Sequence, residues 1–172
     1  PWPNYAKNYR PTLEWARTAG VRVIAANIPR PIARQVSRGR WDDIDVSGNL
    51  YAPWVLHTDE PAYRARFEEA MGNHGGAEDA DLDDWFAAQC VKDDRMAESI
   101  ADHLEPTAEA PPLVIHWCGR FHSDHRLGTG SRLADRRPDL EILVVSMETT
   151  HDLATKLPTE VSSSADFVWW IR

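Results

Sequence analysis

Short runs of β-branched and apolar residues alternate along the chain with stretches whose apolar positions recur at helical spacing. Pro11 opens a segment continuing through Leu13, Trp15 and Arg17 that reads as a helix, with proline in its first turn and Gly20 as its stop. Val21-Arg22-Val23-Ile24-Ala25-Ala26 follows as a buried-strand candidate. Asn27-Ile28-Pro29-Arg30-Pro31 makes a turn, and residues 32–38 form a second predicted helix closed by Gly39. Residues 40–58 show no period and are expected to be a long loop. Asp59-Glu60-Pro61 then opens a helix that runs to Met71 and stops at Gly72. Residues 73–80 are Gly-rich and acidic and are expected to be mobile. A long helix is predicted over 82–104, ended by Pro106. Strands are predicted at 113–117, 141–147 and 167–171, with a short helix over 128–136 between the first two. The alternation predicts an α/β fold, a mostly parallel sheet with helices on both faces, as a single domain over 1–172. No internal repeat is visible.

Composition narrows the function classes. A chain of 172 residues, 42% hydrophobic and 27% charged, has the size and balance of one globular domain. Lys and Arg number 19 against 27 Asp and Glu, a net charge of −8, with no basic stripe, so nucleic acid is not an expected partner. Arg30, Arg34, Arg120 and Arg126 nevertheless cluster near predicted loops, an arrangement compatible with a small anion inside an acidic protein. The two cysteines, Cys90 and Cys118, form neither CxxC nor CxxCH, which excludes a zinc ribbon and covalent c-type haem. No apolar run approaches the length of a membrane span. Among eight Trp, Trp41 and Trp54 stand in polar or Pro-rich segments, where a ring either lines a pocket or caps a core. Packing is the commoner role.

Two stretches carry candidate chemistry. On the long helix, Leu82, Phe86, Met96, Ile100 and Leu104 fall along one face, and Gln89 and Asp93 sit in the middle of that stripe. A carboxylate on the buried side of a helix is costly unless hydrogen-bonded or paired, so this pair marks either a structural tie or a polar cavity. Further on, His116, His122 and His125 lie within ten residues, at the carboxyl end of a predicted strand, where open α/β sheets bind ligands. Imidazoles ligate metals and carry protons, and Asp124 is placed to orient one of them. His116 alternates within its strand and also fits a core role, and His125 an exposed one, which leaves His122 as the leading candidate. Gly128-Thr129-Gly130-Ser131 opens the next helix and suits either an anion or a plain turn.

Three motifs in order carry a resemblance: Ala25-Ala26-Asn27-Ile28-Pro29-Arg30, then Gln89-Cys90-Val91-Lys92-Asp93-Asp94-Arg95, then Gly119-Arg120-Phe121-His122-Ser123-Asp124 with Leu127-Gly128. Together they resemble the ChaN-like haem-binding family of the Tiki and erythromycin-esterase superfamily, linked to iron uptake. The resemblance implies a haem site with His122 as axial ligand, Tyr51 or Tyr63 as alternatives, Arg120 or Arg126 at the propionates, and Gln89 and Asp93 nearby. The superfamily also implies an alternative, a metal-dependent hydrolase in which His122 binds a divalent ion or acts as base beside Asp93 and Gln89. His116 and His125 are the further candidate metal ligands. Relatives carry an early strand and a Gly-Glu-x-His type motif that do not stand before Pro1. The resemblance therefore implies a missing N-terminal segment, and a sheet short of its first strands would invite pairing into a homodimer. It also implies a periplasmic or membrane-anchored location in a bacterium.

Overall fold

Helix α5 (Asp79–His103) is the axis against which the other elements pack. A computed structural model describes residues 3–72, 79–104, 112–149 and 163–171. Most of α5 from Phe86 to Ile100 is buried, on more than one side, as befits a helix enclosed by its own domain. Helix α3 (Arg30–Val36) seats Ile32 and Val36, with Ile28 before it, against Ala88 and Val91. Helix α4 (Pro61–Met71) packs Tyr63 and Phe67 on Phe86 and Cys90. Helix α6 (Thr129–Arg136) sets Leu133 on Ala97, Ile100 and Leu104, where Val114 and Ile142 also pack. Pro31 and Pro61 occupy first turns whose N–H groups have no intrahelical acceptor to lose. The left-handed backbone after α2 (Arg10–Thr18) and after α3 falls on Gly20 and Gly39, as the sequence anticipated. Helix α2 packs chiefly on the short α1 (Tyr5–Asn8).

The loop over 40–58 contains no helix or strand, yet it contributes to the core. Trp41, Ile44 and Leu56 pack on the α3–α5 cluster, whereas Trp54 is exposed. Of the stretch expected to be mobile, residues 79 and 80 begin α5 and the rest lies outside the described residues, as does Pro106.

The sheet is smaller than the sequence suggested. Strands β1 (Val145–Thr149) and β2 (Phe167–Ile171) run parallel, with Val145 opposite Phe167 and Thr149 opposite Ile171. The strand predicted at 141–147 thus lies further along the chain, because its partner is first met at Val145. Residues 113–117 alternate in exposure as strands do, and residues 23–26 do so after three exposed positions at 21–23. Among the described residues, however, their N–H groups beyond Val21 find no backbone acceptor, so they form no ladder. The architecture is mixed α and β with a parallel pair of strands. Val114 and Ile142, in the segments leading to this region, pack on α5 and α6, and no helix layer is described on a second face. Among the described residues, no helix is long and apolar enough to cross a membrane.

Candidate functional site

Asp93, wholly buried on α5, organises the site. Its Oδ2 accepts a hydrogen bond from the Tyr63 hydroxyl at 2.7 Å. Its Oδ1 accepts from Thr129 Oγ1 at 2.7 Å and from His122 Nδ1 at 2.8 Å. Three donors from three parts of the chain therefore converge on one carboxylate, which satisfies a group that would otherwise be costly to bury. With its Nδ1 hydrogen directed at Asp93, the His122 ring presents Nε2 as its acceptor nitrogen. That ring is 15% exposed, so the lone pair stands at the edge of the core and not inside it.

Gln89 closes the arrangement one turn earlier on α5. Lys92 Nζ donates to Gln89 Oε1 at 3.1 Å, which fixes the amide so that its Nε2 donates to the Tyr63 oxygen at 3.1 Å. The same Nε2 lies 3.4 Å from His122 Nε2. Its 3.1 Å approach to Nδ1 is a packing contact, since that ring hydrogen already serves Asp93. Burial and the Asp93 charge push the Tyr63 phenol far above its ordinary pKa, so it stays a neutral donor. Gly128 is the floor of the site. Its φ of +62° is left-handed, and a Cβ there would come within 2.9 Å of the His122 carbonyl and 3.0 Å of Asp93 Oδ1.

His116 lies behind His122. Its Nε2 is buried without a hydrogen-bond partner, and burial together with the neighbouring His122 ring lowers its pKa below the usual 6.5, against the pull of Asp93. The folded state holds this ring neutral while the unfolded chain protonates it near 6.5. Stability from this group is thus present above that pH and lost as pH falls below it. Urea unfolding midpoints measured between pH 7.5 and 5 should fall, and His116→Gln should flatten the fall. An unchanged slope in the variant would assign the acid sensitivity elsewhere.

The remaining predicted residues are placed differently. His125 is exposed at a φ of +60°, its backbone N–H bonded to the Ser164 carbonyl, and does not join the other two imidazoles. Among the described residues no three His, Cys, Asp or Glu side chains converge as a metal-ligand set, so His116, His122 and His125 do not form one. Asp124 orients no histidine: it is buried, accepts from Ser146 Oγ at 2.6 Å, and pairs with Arg120 at 2.9 Å, tying the loop to β1. Arg120 also meets Glu148, and Arg126 meets Asp166 and the Ile142 carbonyl. The two arginines expected at propionates already hold protein carboxylates. Tyr51 is exposed and lines a separate cavity of about 450 Å³ with Asp43 and Asp45. Arg30 and Arg34 border another, of about 370 Å³, and neither cavity is lined by the His122 cluster.

Sequence reasoning missed Thr129 as a partner of Asp93 and missed a second buried polar centre beside it. Asp94 is wholly buried, accepts from the His57 backbone N–H and Nδ1, and lies 3.2 Å from Arg132 Nε. The tandem Asp93-Asp94 was the available signal, because two adjacent positions on a helix face different neighbours and both were acidic.

Residues 1–133 match the family described as haem-binding uptake, Tiki superfamily, ChaN. The chain belongs to this family. No curated protein and no solved structure matches it. The ChaN-type match contains every side chain of the cluster, Tyr63, Gln89, Asp93, His122 and Thr129, and stops before β1. Of what haem demands, an imidazole lone pair at the edge of the core is present in His122. The two arginines named for propionates, Arg120 and Arg126, are already paired with carboxylates.

Proposed function

We propose that this chain binds haem in the service of haem or iron uptake, with His122 Nε2 as the axial ligand and Asp93 as the group that orients the ring. The observation that carries this reading is the 2.8 Å bond from His122 Nδ1 to buried Asp93, within a ChaN-type chain. A buried carboxylate accepting from Nδ1 in this way fixes the tautomer and raises the basicity of the other nitrogen. Haem, when bound, would supply an iron that takes such a lone pair, and His122 would hold it.

The tyrosine alternatives are less suited. Tyr63 ligates iron as a phenolate, and its proton is held by burial and by Asp93. Tyr51 stands beside two aspartates, which repel an anionic propionate. Arg120 and Arg126, with side chains 45% and 53% exposed, would meet propionates by exchanging one carboxylate for another. The hydrolase alternative asks for several converging ligands, and nothing in the His122 geometry favours it over haem. The location that accompanies this reading is periplasmic or membrane-anchored.

A haem titration followed in the Soret region tests the proposal. Saturable one-to-one binding is expected, weakened at least about ten-fold in His122→Ala, a loss of about 1.4 kcal/mol or more. Binding unaffected by His122→Ala but lost in Tyr51→Phe would transfer the ligand role to Tyr51, and no binding at all would overturn the proposal.

A further inference from the structure

Helix α3 carries a row of arginines that the His122 cluster does not use. Arg30 and Arg34 stand four residues apart, about 6 Å along the helix axis, and Arg38 follows at the same interval just past its end. All three are exposed, and with Pro31 and Gln35 they line a surface cavity of about 370 Å³. That volume is at the small end of pockets that take small molecules.

Cations in this arrangement are costly without an anion. Like charges four residues apart on a helix repel, and the row contains two such pairs. Arg34 suits the last turn of α3, but Arg30 opens the helix, where the positive end of its dipole disfavours a cation. The first turn holds no acidic residue to offset it. Nearby arginines are paired: Arg40 holds Asp43 at 2.7 Å, and Arg64 holds Glu68 at 2.6 Å. Among the described residues, Arg30, Arg34 and Arg38 form no ion pair. In a chain of net charge −8, three such guanidinium groups around one cavity make an uncompensated positive site.

We infer that this cavity binds paired phosphate groups, carried by a soluble compound or by lipid headgroups. A guanidinium fork matches phosphate oxygens two at a time, and linked phosphates bring the multiple charge that a lone carboxylate lacks. Paired phosphates can engage Arg30 and Arg34 together, with Arg38 and the Gln35 amide as further donors. Their charge cancels the repulsion that the empty row carries. The inference does not rest on haem binding. Helix α3 packs on Ala88 and Val91, and none of Tyr63, Gln89, Asp93 or His122 lines this cavity.

Calorimetric titration of the whole chain with pyrophosphate, at fixed ionic strength, gives the test. Saturable one-to-one binding is expected. Arg30→Gln and Arg34→Gln should each weaken it at least ten-fold without lowering the thermal unfolding midpoint, because each relieves like-charge repulsion. Arg34→Lys keeps the charge but not the fork, so its affinity should fall between those of the parent and Arg34→Gln. Vesicles of phosphatidylglycerol in phosphatidylcholine then separate the two sources. Co-sedimentation that is lost in Arg34→Gln would give the site to lipid headgroups, and its absence would leave a soluble phosphate compound. No saturation by about 1 mM pyrophosphate would overturn the inference, as would binding indifferent to both glutamine variants. Citrate bound as tightly at equal ionic strength would also overturn it, since the site would then select charge and not phosphate.

Discussion

Asp93→Ala is expected to lower unfolding free energy by about 3–5 kcal/mol and to remove haem binding together with it. Three donors aim at this carboxylate, and alanine leaves the Tyr63 hydroxyl, the Thr129 hydroxyl and the His122 Nδ1 hydrogen without their acceptor. The site cannot refill with water easily, because Gly128, Tyr63 and the His122 carbonyl already crowd Asp93. Asp93→Asn separates the two roles. An asparagine keeps the volume and one acceptor oxygen but turns an NH₂ toward one of the donors, so an intermediate loss of about 2 kcal/mol is expected. Folded Asp93→Asn protein should still bind haem less tightly, since the His122 tautomer is no longer fixed. Urea unfolding with parallel haem titration reads both quantities. If Asp93→Ala stays within about 1 kcal/mol of the parent, the three bonds are not the tie described here.

The second large effect belongs to Arg132, which is 5% exposed and holds α6 to the loop before α4. Its guanidinium donates to Glu60 at 2.7 Å, to the Gly128 carbonyl at 3.0 Å and to the His57 carbonyl at 2.8 Å, and it lies 3.2 Å from Asp94. Arg132→Met preserves much of the stem but leaves buried Asp94 with only the more distant Arg136, 3.9 Å away, as its arginine partner, for which about 3 kcal/mol of destabilisation is expected. Adding Asp94→Asn should recover part of that loss, because the amide needs no counter-charge. A double variant no more stable than Arg132→Met would show that the arginine acts through its carbonyl contacts alone. His122 is not a partner of Arg132, so haem binding by folded Arg132→Met should remain, unlike that of Asp93→Ala.

These two networks share α5 and approach at Gly128, yet they do different work. The Asp93 network holds a partly exposed imidazole, whereas Asp94 is held by His57 and Arg132. Two adjacent aspartates on one helix thus meet different neighbours, and only Asp93 holds the proposed haem ligand.

What the sequence by itself determined was local. Helices α2, α3, α4, α5 and α6 were legible because proline starts, glycine stops and apolar spacing act within a few residues. Gln89 and Asp93 were legible as polar residues in an apolar stripe, and His122 as one of three imidazoles at the carboxyl end of a predicted strand. Tertiary structure alone decided which groups meet. His122 is held by Asp93, 29 residues away, and not by Asp124 two positions along, because the loop turns Asp124 inward to Ser146 on β1. Tyr63 joins from 30 residues away, and Arg120 and Arg126 are claimed by carboxylates that no local spacing reveals. The sheet shows the same division. Apolar runs mark 21–26 and 113–117 as strand-like, but a ladder needs a partner edge at the right distance, and none is met among the described residues. Local pattern sets what each segment can become, and the pairing of distant hydrogen-bonding groups sets what it does become.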